Sequence, residues 1–302
     1  IKLKRGQLFI ESLLLLGLLI SMPVEGLAKK QKSTSLILQR IYDYQDANYH
    51  YIDSLEDHVY AKFRFNVEKR NFFLQFIPSM YSVAKDPREY IRESYSNVRF
   101  LDSHHYNIDS QVLSSTIRKN RRAMSPLLDY MTPNIYDVAL YDGHMLSPFN
   151  RINKMYYHFK DKQLNDSTTW LEFRPKFYNT QLVNGYAIVE TATGRVIKTM
   201  LNGEYDMISF RTDIEQGNIG GRSLMPKRIS TVGTFRFMGN RISTVFDADY
   251  DCKLSLPDKS GTLSSREMMD LIRPIPLNAK DKQIYDAYDA QQLIEDSLDK
   301  DT

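Results

Sequence analysis

The chain has one cysteine, one tryptophan, and only 13 glycines and 11 prolines in 302 residues. A lone thiol, Cys252, cannot close an internal disulfide, which argues against the small stapled domains common among secreted proteins. With 42% hydrophobic residues the chain is not disordered either, since disorder requires far fewer apolar side chains and more net charge. Charge of one sign is also missing, the formal balance being +3. A nucleic-acid binder carries a basic patch or stripe. Only Arg118-Lys119-Asn120-Arg121-Arg122 approaches one, and it reads better as a solvated face, so no nucleic-acid partner is expected. Nor is there an apolar run of the roughly 20 residues that a membrane span needs. The run at 13–22 is ten residues long and is broken by Gly17 and Ser21.

That short run belongs to an export signal. Lys2, Lys4 and Arg5 form a basic head, and Gly26-Leu27-Ala28 supplies small residues where a signal peptidase reads, ahead of Lys29-Lys30. Residues 1–28 are read as the signal peptide, with Glu11 as its one blemish. Their removal takes away three cations and two carboxylates and leaves +2. The first residue is Ile rather than Met, the mark of a processed or cut chain. No cysteine near the cleavage region offers a lipoprotein anchor. An exported chain without disulfides fits the envelope of a Gram-negative bacterium, in the periplasm or associated with the outer membrane. Cys252 itself is read as structural, because reactive cysteines need a base or helix terminus to lower their pKa.

What the chain has in quantity is aromatic residues, 20 Tyr and 15 Phe, which suit the half-buried face of a sheet. Ser33-Thr34-Ser35 offers N-caps for a helix on which Leu38, Ile41, Tyr42, Gln45, Tyr49 and Ile52 recur at helical spacing. The period then falls to two. Val59, Ala61, Phe63, Phe65 and Val67 alternate with His58, Tyr60, Lys62, Arg64 and Asn66, predicting a strand with one dry and one wet face. A second strand is expected at 72–77, and weaker ones at 88–101 and 108–118. Between 120 and 153 prolines break the pattern and a short helix is expected at 123–131. This stretch is too apolar for a flexible linker and is read as a connection between two parts of one sheet. From 154 onward come hairpins, with strands expected at 156–160, 169–174, 186–190, 195–201, 204–212, 234–238 and 241–250. Gly239-Asn240 joins the last two, and such short turns impose antiparallel pairing. A helix at 264–272 ends at Arg273-Pro274-Ile275-Pro276. Residues 29–277 thus form one β-rich domain, followed by an acidic tail, 278–302, helical or frayed.

Catalytic patterns are weak. His104-His105 beside Asp102 and Asp109 has no metal-helix spacing, and adjacent strand residues point to opposite faces. Gly217-Asn218-Ile219-Gly220-Gly221-Arg222-Ser223 matches neither a nucleophile elbow nor a phosphate loop. Glu204 and Asp206 share a face, as do Asp247, Asp249 and Asp251. A solvated polar face accounts for them, with a hydrolase using these carboxylates or His104/His105 as the competing reading. No catalytic residue, cofactor or metal is assigned.

Several stretches resemble an uncharacterised domain family of Bacteroidota envelope proteins: Pro133-Asn134-Ile135-Tyr136, Leu146-Ser147-Pro148-Phe149-Asn150, Phe173-Arg174-Pro175-Lys176, Asn179-Thr180-Gln181-Leu182-Val183 and Gly203-Glu204-Tyr205-Asp206-Met207-Ile208. The similarity runs from about Leu36 to Tyr288. Longer members carry a carboxypeptidase-regulatory-like domain in front and an outer-membrane barrel behind, and this sequence stops near where that barrel would start. The resemblance implies a non-enzymatic envelope domain whose partner is an envelope protein or an outer-membrane barrel, its own missing C-terminal part included. The expected fold is α+β, mainly antiparallel β: a curved sheet or half-open barrel of the lipoprotein-carrier kind with a few flanking helices. As a lipid or lipoprotein carrier, the alternative, it would line an apolar face with Val59, Phe63, Phe65, Phe72, Leu74, Phe76, Phe235 and Phe237. Packed core is the simpler reading of the same alternation.

Overall fold

The computed structural model describes residues 24–49, 55–76, 87–102, 105–117, 132–141, 143–205, 207–218, 223–250, 252 and 263–300, with side chains from Thr34 to Ile294. The expected export signal up to residue 23, the helix at 123–131, His104, Asp206, Asp251 and the basic run 118–122 lie outside these residues. β1 (Glu56–Lys69), β2 (Glu89–Phe100) and β3 (Tyr106–Ser115) form one meander. After a two-strand hairpin, β4 (Ala139–Leu140) with β5 (Met145–Leu146), a second meander follows. It comprises β6 (Tyr157–Gln163), β7 (Thr168–Pro175), β8 (Asn184–Glu190), β9 (Val196–Tyr205), β10 (Ile208–Gln216), β11 (Pro226–Phe237) and β12 (Asn240–Asp249). The two are sewn together where β1 pairs with β12, Phe63 opposite Phe246 and Ala61 opposite Ala248. The result is one 10-stranded antiparallel sheet, ordered β3-β2-β1-β12-β11-β10-β9-β8-β7-β6. With helices α1 (Val24–Asn48), α2 (Ser265–Ile272) and α3 (Ala279–Lys300), this is the expected α+β class.

The dry face of β1 is buried from Val59 to Val67 and joins the inner faces of β6–β12 in one hydrophobic cluster. The face expected to be wet is not. Tyr60 is buried, and Lys62 and Arg64 are largely covered, because α2 and α3 pack on that side of β1–β3. Four local expectations are also corrected. Residues 72–76 form a 3-10 turn, not a strand, since β1 already has a neighbour on both edges and Asn71 Oδ1 accepts from the Phe73 amide to bend the chain. The first helix does not start at Ser33-Thr34-Ser35 but runs from Val24. The Thr34 hydroxyl donates to Asp161 on β6 instead of capping. The 204–212 strand is two, split at Met207 with φ 65°. The β11–β12 turn is Met238-Gly239, with φ of 44° and 80°, the paired positive angles of a two-residue hairpin turn. Asn240 already stands in β12, opposite Phe237.

The segment 132–156 is the most consequential part of the fold. β3 and β6 are the two outermost strands, so the chain between them must return across the whole sheet. The described part returns through the core. Ile135, Tyr136, Leu140, Met145 and Phe149 are buried against the inner face, with Tyr141 edge-on to Phe210 at 5.0 Å and Phe149 to Phe173 at 5.5 Å. Irregular backbone in a core leaves amides and carbonyls without a ladder, and each must find a partner. Here short polar side chains supply them. Asn134 Oδ1 accepts from the Tyr136 amide at 3.0 Å, and the Ser147 hydroxyl donates to the Ile135 carbonyl. Asn150 Nδ2 reaches the Tyr136 carbonyl at 2.9 Å, while Asn153 Nδ2 bonds both Val138 O at 2.7 Å and Ser147 O at 2.9 Å. Tyr157 donates its hydroxyl to Leu146 O, and burial pushes that hydroxyl up to about 12.

Helix α1 closes the same face with Ile37, Leu38, Ile41 and Tyr42. It is seated by the Arg40 guanidinium on the Thr191 carbonyl and by the Tyr44 hydroxyl on Ser223 Oγ at 2.6 Å. Gly194, at φ 85°, lets the β8–β9 turn come up against the helix backbone, and a Cβ there would fall 2.2 Å from the Arg40 carbonyl carbon. Gly194→Ala should therefore lower the unfolding free energy by more than ~1 kcal/mol, read by chemical denaturation. A neutral or stabilising effect would contradict this seating.

Candidate functional site

The residues singled out for chemistry do not converge. His105 pairs with Asp102, Nδ1 to Oδ2 at 2.8 Å, in an exposed β2–β3 turn. Asp249 is held by Arg228 Nε at 2.7 Å and Asp247 accepts from Ser230 Oγ at 2.7 Å, both as cross-strand pairs on the outer face of β11–β12. Glu204 is exposed at the end of β9. Cys252 donates its thiol to the Asp249 carbonyl at 3.2 Å. Among the described residues no group of three or more His, Cys, Asp or Glu is placed to hold a metal. Of the apolar-face candidates, Val59, Phe63, Phe65, Leu74 and Phe235 sit in the main core and Phe237 packs partly buried against it, whereas Phe72 and Phe76 are exposed.

The motif stretches, seen in place, are packing devices. Asn134, Ser147 and Asn150 satisfy the buried segment's backbone as described. Asn179 Oδ1 accepts from the Gln181 amide, which lets Gln181 O take the Leu146 amide at 2.8 Å. Gly203 lies beneath the Phe210 ring, where a Cβ would approach to 2.6 Å.

Exposed apolar side chains are distributed unevenly. Strand register places the exit of β1, the β11–β12 turn, the β9–β10 turn, the β7–β8 loop and the approach to β6 along one edge of the sheet. That edge carries ten of the twenty exposed large apolar residues among those described, and the opposite edge only Leu101 and Leu164. It has two concentrations. Phe72 packs tilted against Phe73 at 4.0 Å and edge-on to Phe76 at 6.2 Å between centroids, and the turn that carries them is bonded to the Met238 carbonyl through Asn71. Farther along, Ile152 and Met155 are exposed just before β6 and Phe177 and Tyr178 just after β7, two segments joined by the Lys176 amide on Tyr156 O at 2.9 Å and by Tyr156 edge-on to Phe177. Tyr205 and Met207 lie between the two. Exposed apolar side chains concentrated in this way are the kind of surface that interaction sites use.

A cluster of strongly perturbed ionisable groups lies elsewhere, under the C-terminal helices, and sequence reasoning misses it. Glu93 on β2 is fully buried. It receives Arg273 Nε and Nη2 at 2.8 Å each, the Tyr285 hydroxyl at 2.8 Å and the Tyr60 hydroxyl. Burial pushes the carboxyl up, but the hydrogen bonds from Arg273, Tyr60 and Tyr285 outweigh it and hold Glu93 below its usual range. Burial and the adjacent Glu93 charge raise the Tyr60 and Tyr285 hydroxyls. A second buried carboxylate, Asp281 at the start of α3, takes Lys62 at 3.0 Å and Arg64 at 3.2 Å. Strongly shifted groups in a cleft suggest catalysis, but both oxygens of Glu93 are committed to protein donors, and the cluster is an anchor for α2 and α3. Two clefts flank it. One of about 360 Å³ is lined by Arg266, Asp270, Arg273 and Lys282, and one of about 420 Å³ lies between Tyr90 on β2 and Ile284 on α3.

Removing one partner of a buried ion pair costs about 3–5 kcal/mol, so Glu93→Gln should lose roughly that much. A carboxyl depressed in the native state contributes fully above its unfolded pKa of about 4.3 and loses that contribution as pH falls through its lower folded value. Denaturant titrations should show wild-type stability dropping in that acid window, with a shallower drop for Glu93→Gln. Parallel curves would contradict the anchor.

No curated protein matches the sequence. Among solved structures the chain is similar to a LolA superfamily protein from Nitrosomonas europaea, 16% identical over 74% of this chain and 97% of that one, with a TM-score of 0.29. It is also similar to a DUF1329 family protein from Desulfovibrio piger, 12% identical over 72% and 95%, TM-score 0.26. The Pseudomonas aeruginosa MucA/MucB complex gives 8% identity over 68% and 93%, TM-score 0.21. At these TM-scores the overlaps are loose and say nothing of what this chain binds. Residues 37–252, from α1 to just past β12, match the model of a family of unknown function, DUF5686, and the chain belongs to that family.

Proposed function

We propose that this domain is a non-enzymatic module of the Gram-negative cell envelope, periplasmic or held at the outer membrane, that works by docking a partner protein on the apolar edge of its sheet. The export signal read at residues 1–28 and the Bacteroidota envelope resemblance supply the compartment. An envelope protein or outer-membrane barrel is the partner this reading favours. The observation that carries it is the exposed cluster of Ile152, Met155, Phe177 and Tyr178, two adjacent segments that turn large apolar side chains to solvent at one end of the edge. As a lipid carrier the domain would instead have to free Val59, Phe63, Phe65, Leu74 and Phe235 from the core they now share.

A photo-crosslinking residue placed at Tyr178 in the native host should give a discrete adduct with one envelope protein. The same residue at Asn165, in the β6–β7 turn on the opposite edge, should not. Equal labelling at both positions, or none at Tyr178, would overturn the docking reading.

A further inference from the structure

We infer that the other end of this edge, built on Phe72, Phe73, Phe76 and Met238, is a docking surface for an anionic phospholipid bilayer. The construction is specific. The 3-10 turn at 72–76 buries Leu74 in the core and turns the three phenylalanines outward. Two reciprocal bonds fix it to the neighbouring hairpin, the Asn71 amide to Asn240 Oδ1 at 2.7 Å and Asn240 Nδ2 to Asn71 Oδ1 at 2.9 Å. The positive-φ Met238-Gly239 turn then lifts Met238 beside them, with Asn71 Nδ2 on the Met238 carbonyl at 2.7 Å. These exposed apolar side chains are carried on two turns held side by side, the 3-10 turn at 72–76 and the β11–β12 turn.

Charge decides the occupant. Lys69, Arg236 and Arg241 lie on the nearby ends of β1, β11 and β12, with Arg70 just after β1 and Arg88 just before β2, its guanidinium on the Val67 and Glu68 carbonyls. Among the described residues the acids there are Glu68, which Arg241 pairs at 2.8 Å, and Glu89, which Lys280 pairs at 2.9 Å. Glu204, on the next hairpin, marks the limit of the patch. Aromatic side chains that insert at the acyl boundary, ringed by cations that meet anionic headgroups, are the pattern of interfacial membrane binding. Each basic residue near such a surface is worth roughly fivefold in affinity. The inference does not depend on the partner-protein reading, which concerns the Ile152–Tyr178 end.

The test places a fluorescent reporter at the patch in the full chain, Phe76→Trp in a Trp170→Phe background. The protein is titrated with phosphatidylcholine vesicles and with mixed phosphatidylcholine and phosphatidylglycerol vesicles. Emission of the introduced indole should shift to the blue on the mixed vesicles and be quenched by brominated acyl chains, with the effect suppressed by high salt. Arg236→Glu should weaken the binding about tenfold or more, counting the lost and the added charge, and Phe72→Ser should weaken it as well. Both positions are exposed, so melting temperatures should not move. The apolar stretch at 13–22 is common to every variant and cannot produce differences between them. Unshifted emission on mixed vesicles, equal response to the neutral ones, or indifference to Arg236→Glu would overturn the inference. So would a Phe72 contact made only with a protein. None of these outcomes bears on crosslinking at Tyr178.

Discussion

The chain has to travel from one outermost strand of a ten-stranded sheet to the other, and part of that return is made through the interior. A return over the solvent side would cost little, since loops on the surface bond to water. A buried return obliges the protein to provide a hydrogen-bond partner for every amide and carbonyl that has no ladder. Asn134, Ser147, Asn150 and Asn153 are those partners, and Tyr136 closes the arrangement from the other side by accepting the Val196 amide on its hydroxyl. The segment then covers part of the inner face that the sheet would otherwise expose. The DUF5686 stretches that look most like a motif are concentrated here and in the strands it lies against. Their residue types are set by backbone bonding and by close packing, as at Gly203.

With the inner face covered in this way, the proposed docking surfaces lie on the exterior, which is not uniform. One side of β1–β3 is sealed by α2 and α3 through Glu93–Arg273 and Asp281–Lys62/Arg64. Charges of this kind are expensive to bury. They are tolerated here because each carboxylate has two or more donors. The outer face of β10–β12 remains polar, crossed by exposed pairs such as Arg211–Asp213 and Arg228–Asp249 that contribute little to stability. What is left is the turn-bearing edge with its aromatic and aliphatic side chains. An edge of this composition suits a domain that stands against something larger than itself.

Much of this is legible in the sequence, and the failures have a common cause. Alternation from Val59 to Val67 gives β1 and its inner face correctly, because period two is a local signal. The apolar character of 132–156 identifies an internal connection without revealing its path. The outer face of β1 is misleading, since its cover arrives from residues about two hundred positions later. Only a partial cue is present, Ile91 and Tyr95 on that face of β2, because Glu89, Glu93, Asn97 and Arg99 share the face and give it the look of a solvated one. Phe72 and Phe76 mislead for the opposite reason. Phenylalanine in a row signals a strand or a core, and nothing local says that a 3-10 turn will bury Leu74 alone and leave its neighbours in solvent.

The inner face is closed by the protein's own chain. Native-state hydrogen exchange tests this most directly, at the amides of Tyr136, Phe149 and Val196, which are bonded to Asn134 Oδ1, Ser147 Oγ and the Tyr136 hydroxyl. If the segment is core, these amides should exchange only through global unfolding, with the same protection as amides in the middle of β9 and β10. Exchange at loop-like rates, while β9 and β10 remain protected, would mean that the segment lifts away. The inner face would then open, and the proposal that this domain docks through its outer edge would lose its ground.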